Sequence, residues 1–175
     1  MKVILVFVTT VDGKITKWGE PHVKRWTSKE DQEYFTQAWQ NFPVVIVGKG
    51  TYDAEPITPP KKNRLIILSN NPEKYKDKEV PGHLEFTNDS PINVLSRLRE
   101  KNFDQVLLAG GAHVATSFLK EGLVDELWLT LEPKIFASGG NFVVEDKLDV
   151  KLRLLSHEQV NDQGTLILKY EVLPH

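Results

Sequence analysis

The sequence predicts an α/β fold, a mixed and mostly parallel sheet of about eight strands with helices on both faces and an antiparallel carboxy-terminal hairpin. Apolar, β-branched runs alternate with segments of helical periodicity through the first two thirds of the chain, which favours parallel pairing through crossover helices. Two later apolar stretches are joined by the polar turn Asn161–Gly164, as in a hairpin. The length of 175 residues, without repeat or linker, predicts a single domain over 1–175.

The amino-terminal third begins with a strand at Val3 to Val8, a continuous apolar run closed by Asp12–Gly13. The run is too short to cross a membrane, and we interpret it as a buried strand and not as a signal peptide. A helix follows, with Thr27 and Glu30 as a capping box or Ser28 as an alternative cap. Its apolar positions are Tyr34, Phe35, Ala38, Trp39 and Phe42.

The rest of the chain continues the alternation. Further strands are predicted at Val44 to Val47, Leu65 to Leu68, Leu84 to Phe86, Val106 to Ala109, Leu127 to Leu131, Leu152 to Leu155 and Thr165 to Val172. Pro56, Pro59 and Pro60 indicate an exposed loop. Ser90 and Pro91 begin a helix whose apolar stripe is Ile92, Leu95 and Leu98. Another helix runs from Ala112 to Glu121, with Gly122 just past its end.

Composition excludes several classes of function. The net charge of −2 provides no broad basic field, so neither nucleic acid nor an anionic membrane is expected as a partner. The absence of cysteine excludes disulfides, thiolate catalysis and cysteine-ligated metals. The five histidines show no ligand spacing, so no metal site is predicted. We expect a cytoplasmic protein.

Two glycine-rich turns, Gly48–Thr51 and Gly110–Ala112, each follow a buried strand and precede a predicted helix. Glycine lets the backbone approach a ligand closely, and free N–H groups at the start of a helix attract phosphate. Glycine after a strand usually marks only a change of chain direction, so neither turn by itself identifies a phosphate site. Neither matches the dinucleotide fingerprint or the P-loop, so the common nucleotide-binding folds are excluded.

Several blocks together resemble the riboflavin-pathway reductase domains. Thr9–Ile15 resembles their S-x-D-G-K-I-A, Trp26-Thr27-Ser28 their W-I-S, and Gly48–Thr51 their G-x-G-T. The stretch from Gly110 to Leu127 resembles their G-G-x followed by G-L-V-D-E-L. The blocks occur in the family's order over roughly residues 3 to 140, which makes them more specific together than any one alone.

The chain also resembles dihydrofolate reductases. Trp26, Asp31 and Phe35 repeat their W-x4-D-x3-F spacing, and Ala109-Gly110-Gly111 with Val114 is similar to their I-G-G-x-x-V/I. The resemblance implies the three-layer dihydrofolate-reductase-like fold, in which a cis bond between two glycines is common. We therefore predict a cis peptide bond between Gly110 and Gly111.

The two resemblances together imply NADPH as a hydride donor, with Thr9, Thr10 and Trp26 near the nicotinamide and Ser69 and Asn70 near the 2′-phosphate. The implied cofactor contacts are Thr9, Thr10, Trp26, Lys49, Gly50, Thr51, Ser69, Asn70, Gly110, Gly111, Ala112, His113 and Val114. The implied substrate contacts are Trp26, Asp31 and Phe35. The family also implies a homodimer, which the apolar Trp128 and Phe136 near the late strands favour.

The expected activity is hydride transfer to a small pterin-like or pyrimidine-like heterocycle, and the alternative is a cofactor- or pterin-binding protein without efficient turnover. Ala109 stands where the riboflavin-pathway enzymes carry a substrate-binding glutamate, and Gln40 where they carry an arginine for the ribose phosphate. Two interpretations of Asp31 stay open: it anchors an amino-heterocycle, or it is a solvated acid in the first turn of the helix that favours the helix dipole.

Overall fold

The computed structural model describes residues 1–55, 57 and 62–174, and the loop predicted at Pro56, Pro59 and Pro60 lies outside them. The strands of this part are β1 (Lys2–Thr10), β2 (Val44–Gly48), β3 (Arg64–Leu68), β4 (Leu84–Thr87), β5 (Gln105–Leu108), β6 (Glu126–Glu132), β7 (Leu152–Gln159) and β8 (Leu166–Val172). Its α-helices are α1 (Lys29–Asn41), α2 (Lys49–Ala54), α3 (Pro91–Glu100) and α4 (Ala112–Lys120). Short 3-10 turns lie at Val23–Arg25 and Pro72–Lys78.

The eight strands form one sheet in the order β4-β3-β2-β5-β1-β6-β8-β7. Every neighbouring pair is parallel except β6–β8 and β8–β7, which are antiparallel. The central strands are apolar without interruption because helices cover both of their faces. The predicted mixed sheet with a carboxy-terminal hairpin is therefore confirmed, and the carboxyl ends of β1 to β5 share one edge.

Helices cover both faces of the sheet, as predicted. One core contains α3 and α4 packed on β1, β2 and β5, and the other contains α1 and α2 packed on the opposite face. The predicted stripe of α3 is wrong at Ile92, which is 53% exposed, whereas Val94 is buried with Leu95 and Leu98. Ile92 lies in the first turn, and the face that meets the sheet is formed by positions 94, 95 and 98.

The start of α1 is capped by Ser28, whose hydroxyl accepts a hydrogen bond of 3.2 Å from the backbone N–H of Asp31. The predicted capping box of Thr27 and Glu30 is wrong. The Glu30 carboxylate instead accepts a 3.1 Å hydrogen bond from the side-chain amide of Asn161, which lies in the β7–β8 turn. A partner 131 residues away in the chain thus replaces the local one.

The outermost strand, β7, is exposed along its whole length, including Leu152, Leu154 and Leu155. It pairs only with β8, with an irregularity between Leu154 and Ser156. Within residues 1–55, 57 and 62–174, none of the helices has both the length and the apolarity that a membrane span requires.

Candidate functional site

A cleft of about 1310 Å³ opens over the carboxyl ends of β2, β3, β4 and β5 and extends along α1. Ligands of open α/β sheets bind in this position, because the connections that leave the strands there diverge. We call the part lined by Gly48–Thr51, Ser69–Asn70 and Gly110–Val114 the glycine end. The part lined by Thr27, Asp31 and Phe35 is the carboxylate end.

At the glycine end the two turns lie against each other, since the backbone N–H of Gly48 donates a 2.8 Å hydrogen bond to the carbonyl of Gly110. A Cβ on Gly48 would lie 3.1 Å from a methyl group of Val114, and one on Gly111 would lie 3.2 Å from the hydroxyl of Thr51. Such contacts are tighter than side chains normally make, so both positions favour glycine. The bond between Gly110 and Gly111 is cis, as predicted.

The first turn of α4 differs from those of the other long helices. Ser28 caps α1 and Ser90 caps α3 with side-chain oxygens, whereas Gly111 begins α4 without any side-chain cap. Backbone N–H groups at an uncapped helix start are free to bind an anion. The glycine end can therefore hold a phosphate group, with His113 exposed beside it.

Lys49 lines the glycine end but is already paired. Its ammonium group binds the carboxylate of Asp53 one helical turn away, and the Tyr75 hydroxyl donates to the same carboxylate at 3.1 Å. The hydrogen bond from Lys49 lowers the pKa of Asp53. An anion that binds Lys49 must therefore compete with Asp53.

Ser69 and Asn70 follow β3 and also line this end. Ser69 is buried, and its hydroxyl accepts a 3.2 Å hydrogen bond from the N–H of Asn71, so the hydroxyl proton remains available as a donor. Asn70 is exposed. Their contact with the 2′-phosphate stays a prediction.

At the carboxylate end, Asp31 is only 5% exposed although it lies in the first turn of α1. Burial raises its pKa from 3.8 to about 6, and the negative charge of Glu132 acts in the same direction, while the hydroxyls of Thr130 and Thr27 oppose the increase. The reading of Asp31 as a solvated helix acid is therefore wrong. A carboxyl group with this pKa can accept or donate a hydrogen bond near neutral pH.

The walls of the cleft are mainly apolar. The apolar side chains that line it include Val6, Val8, Val23, Phe35 and Trp39. Gln40 and Ala109 also line the cleft, so both departures from the riboflavin-pathway pattern lie where a ligand would meet them.

Three predicted contact residues are not brought into the lining of the cleft: Thr9, Thr10 and Trp26 are buried behind it. The Thr10 hydroxyl donates to Asp12 and accepts from the N–H of Lys14, so it holds the turn after β1. Trp26 packs edge-on against Phe136, with ring centroids 5.2 Å apart. Their placement indicates a structural role, while Lys49, Gly50, Thr51, Ala112 and the other predicted residues line the cleft.

Sequence reasoning missed two sets of residues. Thr87 ends β4, Asn88 and Asp89 follow it, and all three line the cleft; their place at the carboxyl end of a strand could have identified them. Glu132 is 1% exposed and influences Asp31 from β6, but no local motif distinguishes it. In the part of the chain that the structure describes, no group of three or more His, Asp or Glu side chains could hold a metal ion.

Comparison with known proteins assigns the chain to a family. The model of the RibD C-terminal domain family matches residues 1–166. YwjB of Bacillus subtilis is 27% identical over 165 residues, covering 90% of this chain and 91% of YwjB. YyaP of the same organism is 24% identical over 165 residues, covering 89% and 87% of the two chains.

Solved structures have the same fold. A pyrimidine reductase-like protein from Corynebacterium diphtheriae superposes with a TM-score of 0.82 at 18% identity, covering 99% of this chain and 92% of that one. Dihydrofolate reductase from Enterococcus faecalis, complexed with NADP(H), superposes with a TM-score of 0.70 at 16% identity, covering 98% and 96%. A deaminase/5-amino-6-(5-phosphoribosylamino)uracil reductase from Thermotoga maritima gives a TM-score of 0.76 at 20% identity; 98% of this chain matches 56% of that longer protein. The dihydrofolate-reductase-like fold is thereby confirmed.

Proposed function

This chain belongs to the RibD C-terminal domain family, and we propose that it is a reductase that uses NADPH to reduce a small pterin-like or pyrimidine-like heterocycle. One observation carries the proposal. A single cleft joins an uncapped helix start, suited to a phosphate, to a buried carboxyl group with a raised pKa, suited to an amino-heterocycle. The cleft volume of about 1310 Å³ gives a dinucleotide and a small substrate room to lie side by side.

The cofactor end of the proposed complex is held by the backbone. The N–H groups at the start of α4 would bind the diphosphate of NADPH, and Thr51 would add a hydroxyl. Lys49, Ser69 and Asn70 would meet the 2′-phosphate. NADPH supplies the hydride when it is bound, and the protein orients the two reactants and excludes water.

The substrate end is held by Asp31. Below a pH of about 6 its carboxyl group carries a proton and donates a hydrogen bond; above it, the carboxylate accepts one from an amino group or a protonated ring nitrogen. The apolar walls beside Phe35 lower the local dielectric, which strengthens this hydrogen bond.

The second candidate function is binding without efficient turnover. Ala109 and Gln40 both line the cleft, so the glutamate and arginine of the riboflavin-pathway enzymes are replaced where a phosphoribosyl-pyrimidine would lie. We therefore propose that the riboflavin intermediate is not the substrate of choice. A pterin or another amino-heterocycle would use Asp31 instead.

Steady-state NADPH oxidation with a panel of dihydropterins, dihydrofolate and aminopyrimidines, together with calorimetric titration of NADPH, tests the proposal. Turnover that depends on one of these substrates supports a reductase. Micromolar binding of NADPH or a pterin without turnover supports the second candidate. Absence of NADPH binding would contradict the reductase, and absence of both NADPH and pterin binding would contradict both candidates.

We also propose that the protein forms a homodimer, although the residues that suggested it are used inside the protomer. Trp128 packs on Phe42 and Tyr34, and Phe136 packs on Trp26. The exposed leucines of β7 provide one apolar surface for pairing. Light scattering at high micromolar concentration should give twice the protomer mass, and a monomer mass would contradict the proposal.

A further inference from the structure

Glu132, at the carboxyl end of β6, lies behind the carboxylate end of the cleft and does not line it. It is 1% exposed, an unusual position for an acidic side chain unless partners satisfy it. Each of its two oxygens has a donor. The N–H of Ser28 donates to Oε1 at 2.6 Å, and the hydroxyl of Thr165 donates to Oε2 at 3.0 Å.

These hydrogen bonds join three elements that are distant in sequence. Ser28 is the cap of α1, and its side chain binds the N–H of Asp31. Thr165 follows the β7–β8 turn, where Asn161 binds both its hydroxyl, at 2.9 Å, and its N–H, at 3.0 Å. Asn161 also reaches Glu30 in the first turn of α1. The exposed hairpin is thereby attached to the helix turn that carries Asp31.

Among the charged and titratable groups near Asp31, Glu132 is the one whose charge raises the pKa of Asp31. On α1 these are Glu30, which binds Asn161, and Tyr34, whose pKa is raised to about 12 by burial, so its hydroxyl stays neutral. On β6, Glu132 is the acid whose charge raises the pKa of Asp31. Beyond that strand, the ammonium group of Lys134 binds the carbonyl of Trp26.

We propose that Glu132 is a positioning residue for Asp31: its carboxylate accepts the N–H of Ser28, thereby holds the start of α1, and places a negative charge behind Asp31. Two buried carboxyl groups cannot both ionise at low cost. Glu132 accepts hydrogen bonds from two donors, and its charge adds to the effect of burial in raising the pKa of Asp31. This inference rests on the proposed function only in treating Asp31 as the substrate anchor.

The direct test is a carboxyl ¹³C NMR titration of Asp31, assigned by the loss of its signal in Asp31→Asn. In Glu132→Gln we expect the midpoint of Asp31 to fall by about half a pH unit or more, because the charge is removed while a side chain of the same size remains. Thr165→Val removes one hydrogen bond to Glu132 without removing its charge. Glu30→Gln removes the charge of a nearby half-buried acid that binds Asn161. In both controls the Asp31 midpoint should shift less than it does in Glu132→Gln.

Glu132→Asp separates charge from geometry and serves also if Glu132→Gln does not fold. The shorter side chain keeps the charge, so Asp31 should retain its raised midpoint. Contact with Ser28 should be lost, and the amide of Gln32, which donates to the Ser28 carbonyl at 3.2 Å, should exchange faster with solvent. An unchanged Asp31 midpoint in folded Glu132→Gln would overturn the inference. So would a Glu132→Asp variant in which the Asp31 midpoint is no longer raised and the exchange rate of the Gln32 amide is unchanged.

Binding of a 2,4-diaminopyrimidine, measured across pH, separates this inference from the proposed function. If Glu132 positions Asp31, the acidic limb of the affinity profile in Glu132→Gln should move with the NMR midpoint. A shifted NMR midpoint without any diaminopyrimidine binding would uphold the positioning role and contradict the proposed substrate class. Binding with an unshifted midpoint would uphold the substrate class and overturn the positioning role.

Discussion

The glycine end and the carboxylate end of the cleft are built in opposite ways. At the glycine end, backbone groups of two short turns provide the surface, and each turn directly follows its own strand. At the carboxylate end, one buried side chain provides the chemistry, and the group that influences it comes from a strand 101 residues later in the chain. The glycine end has little space for side chains at Gly48 and Gly111, whereas the carboxylate end depends on the charges of Asp31 and Glu132. Substitutions at the glycine end should therefore change the affinity for NADPH. Substitutions at the carboxylate end should change stability with pH and the affinity for an amino-heterocycle.

The largest effect expected at the carboxylate end concerns stability. A carboxyl group whose pKa is raised from 3.8 to about 6 destabilises the folded state above pH 6, and this cost disappears below about pH 4. Asp31→Asn should therefore raise the free energy of unfolding at pH 8 by up to about 3 kcal/mol. Urea denaturation at pH 8 and pH 4 measures the difference.

The matched control is Asp77→Asn, at an exposed aspartate, which should change stability by less than about 0.5 kcal/mol at either pH. A loss of stability in Asp31→Asn at both pH values would indicate that Asp31 only favours the dipole of α1. The carboxylate end would then lack the buried group with a raised pKa that distinguishes it from the glycine end.

The same substitution should next reduce ligand binding at its own end only. Asp31→Asn should weaken a 2,4-diaminopyrimidine antifolate by roughly 1.5 kcal/mol or more, as expected when a charge-assisted hydrogen bond is lost. NADPH affinity should stay within about twofold, because the glycine end is built by other residues. Calorimetry with each ligand measures both, and unchanged antifolate affinity would contradict the anchoring role.

At the glycine end, Gly111→Ala should weaken NADPH binding about tenfold, or about 1.4 kcal/mol. The new Cβ would lie 3.2 Å from the Thr51 hydroxyl, beside the uncapped helix start. Fluorescence titration of NADPH measures the change, and antifolate binding should be retained.

Thr51→Ala alone and Thr51→Ala with Gly111→Ala complete a double-mutant cycle. Full recovery in the double variant would mean that the methyl group acts only through Thr51, and not by obstructing the cofactor. An unaltered affinity in Gly111→Ala would contradict the placement of the diphosphate.

The smallest effect concerns the choice of cofactor. The 2′-phosphate of NADPH should make it bind more tightly than NADH, and Lys49→Met should reduce this preference a few-fold. Asp53→Asn should act in the opposite direction, because it releases Lys49 from its ion pair. Equal affinity for the two cofactors in the unaltered protein would remove the reason for assigning Lys49, Ser69 and Asn70 to the phosphate.

The two ends also differ in how far the sequence predicted them. The glycine end was found because strand, turn and helix start are adjacent in the chain. The requirement for glycine is local at Gly110, which has a φ of +96°, whereas Gly48 and Gly111 need it because the two turns pack on each other. The same short-range logic predicted the strands and helices. It failed at Ile92, where packing on the sheet selected a different face of α3. It also failed at the Thr27–Glu30 capping box, where the alternative cap Ser28 is used and Glu30 binds Asn161 instead.

By itself, the sequence determined the alternation of elements, the parallel sheet and the place of the glycine turns, because periodicity and turn chemistry are local properties. Only the tertiary structure decided that Thr10 and Trp26 support the cleft from behind, that Asp31 is buried, and that Glu132 acts on it. The physical reason is that a pKa depends on burial and on the charges nearby in space. Neither is set until β6 and the β7–β8 turn have packed against the start of α1.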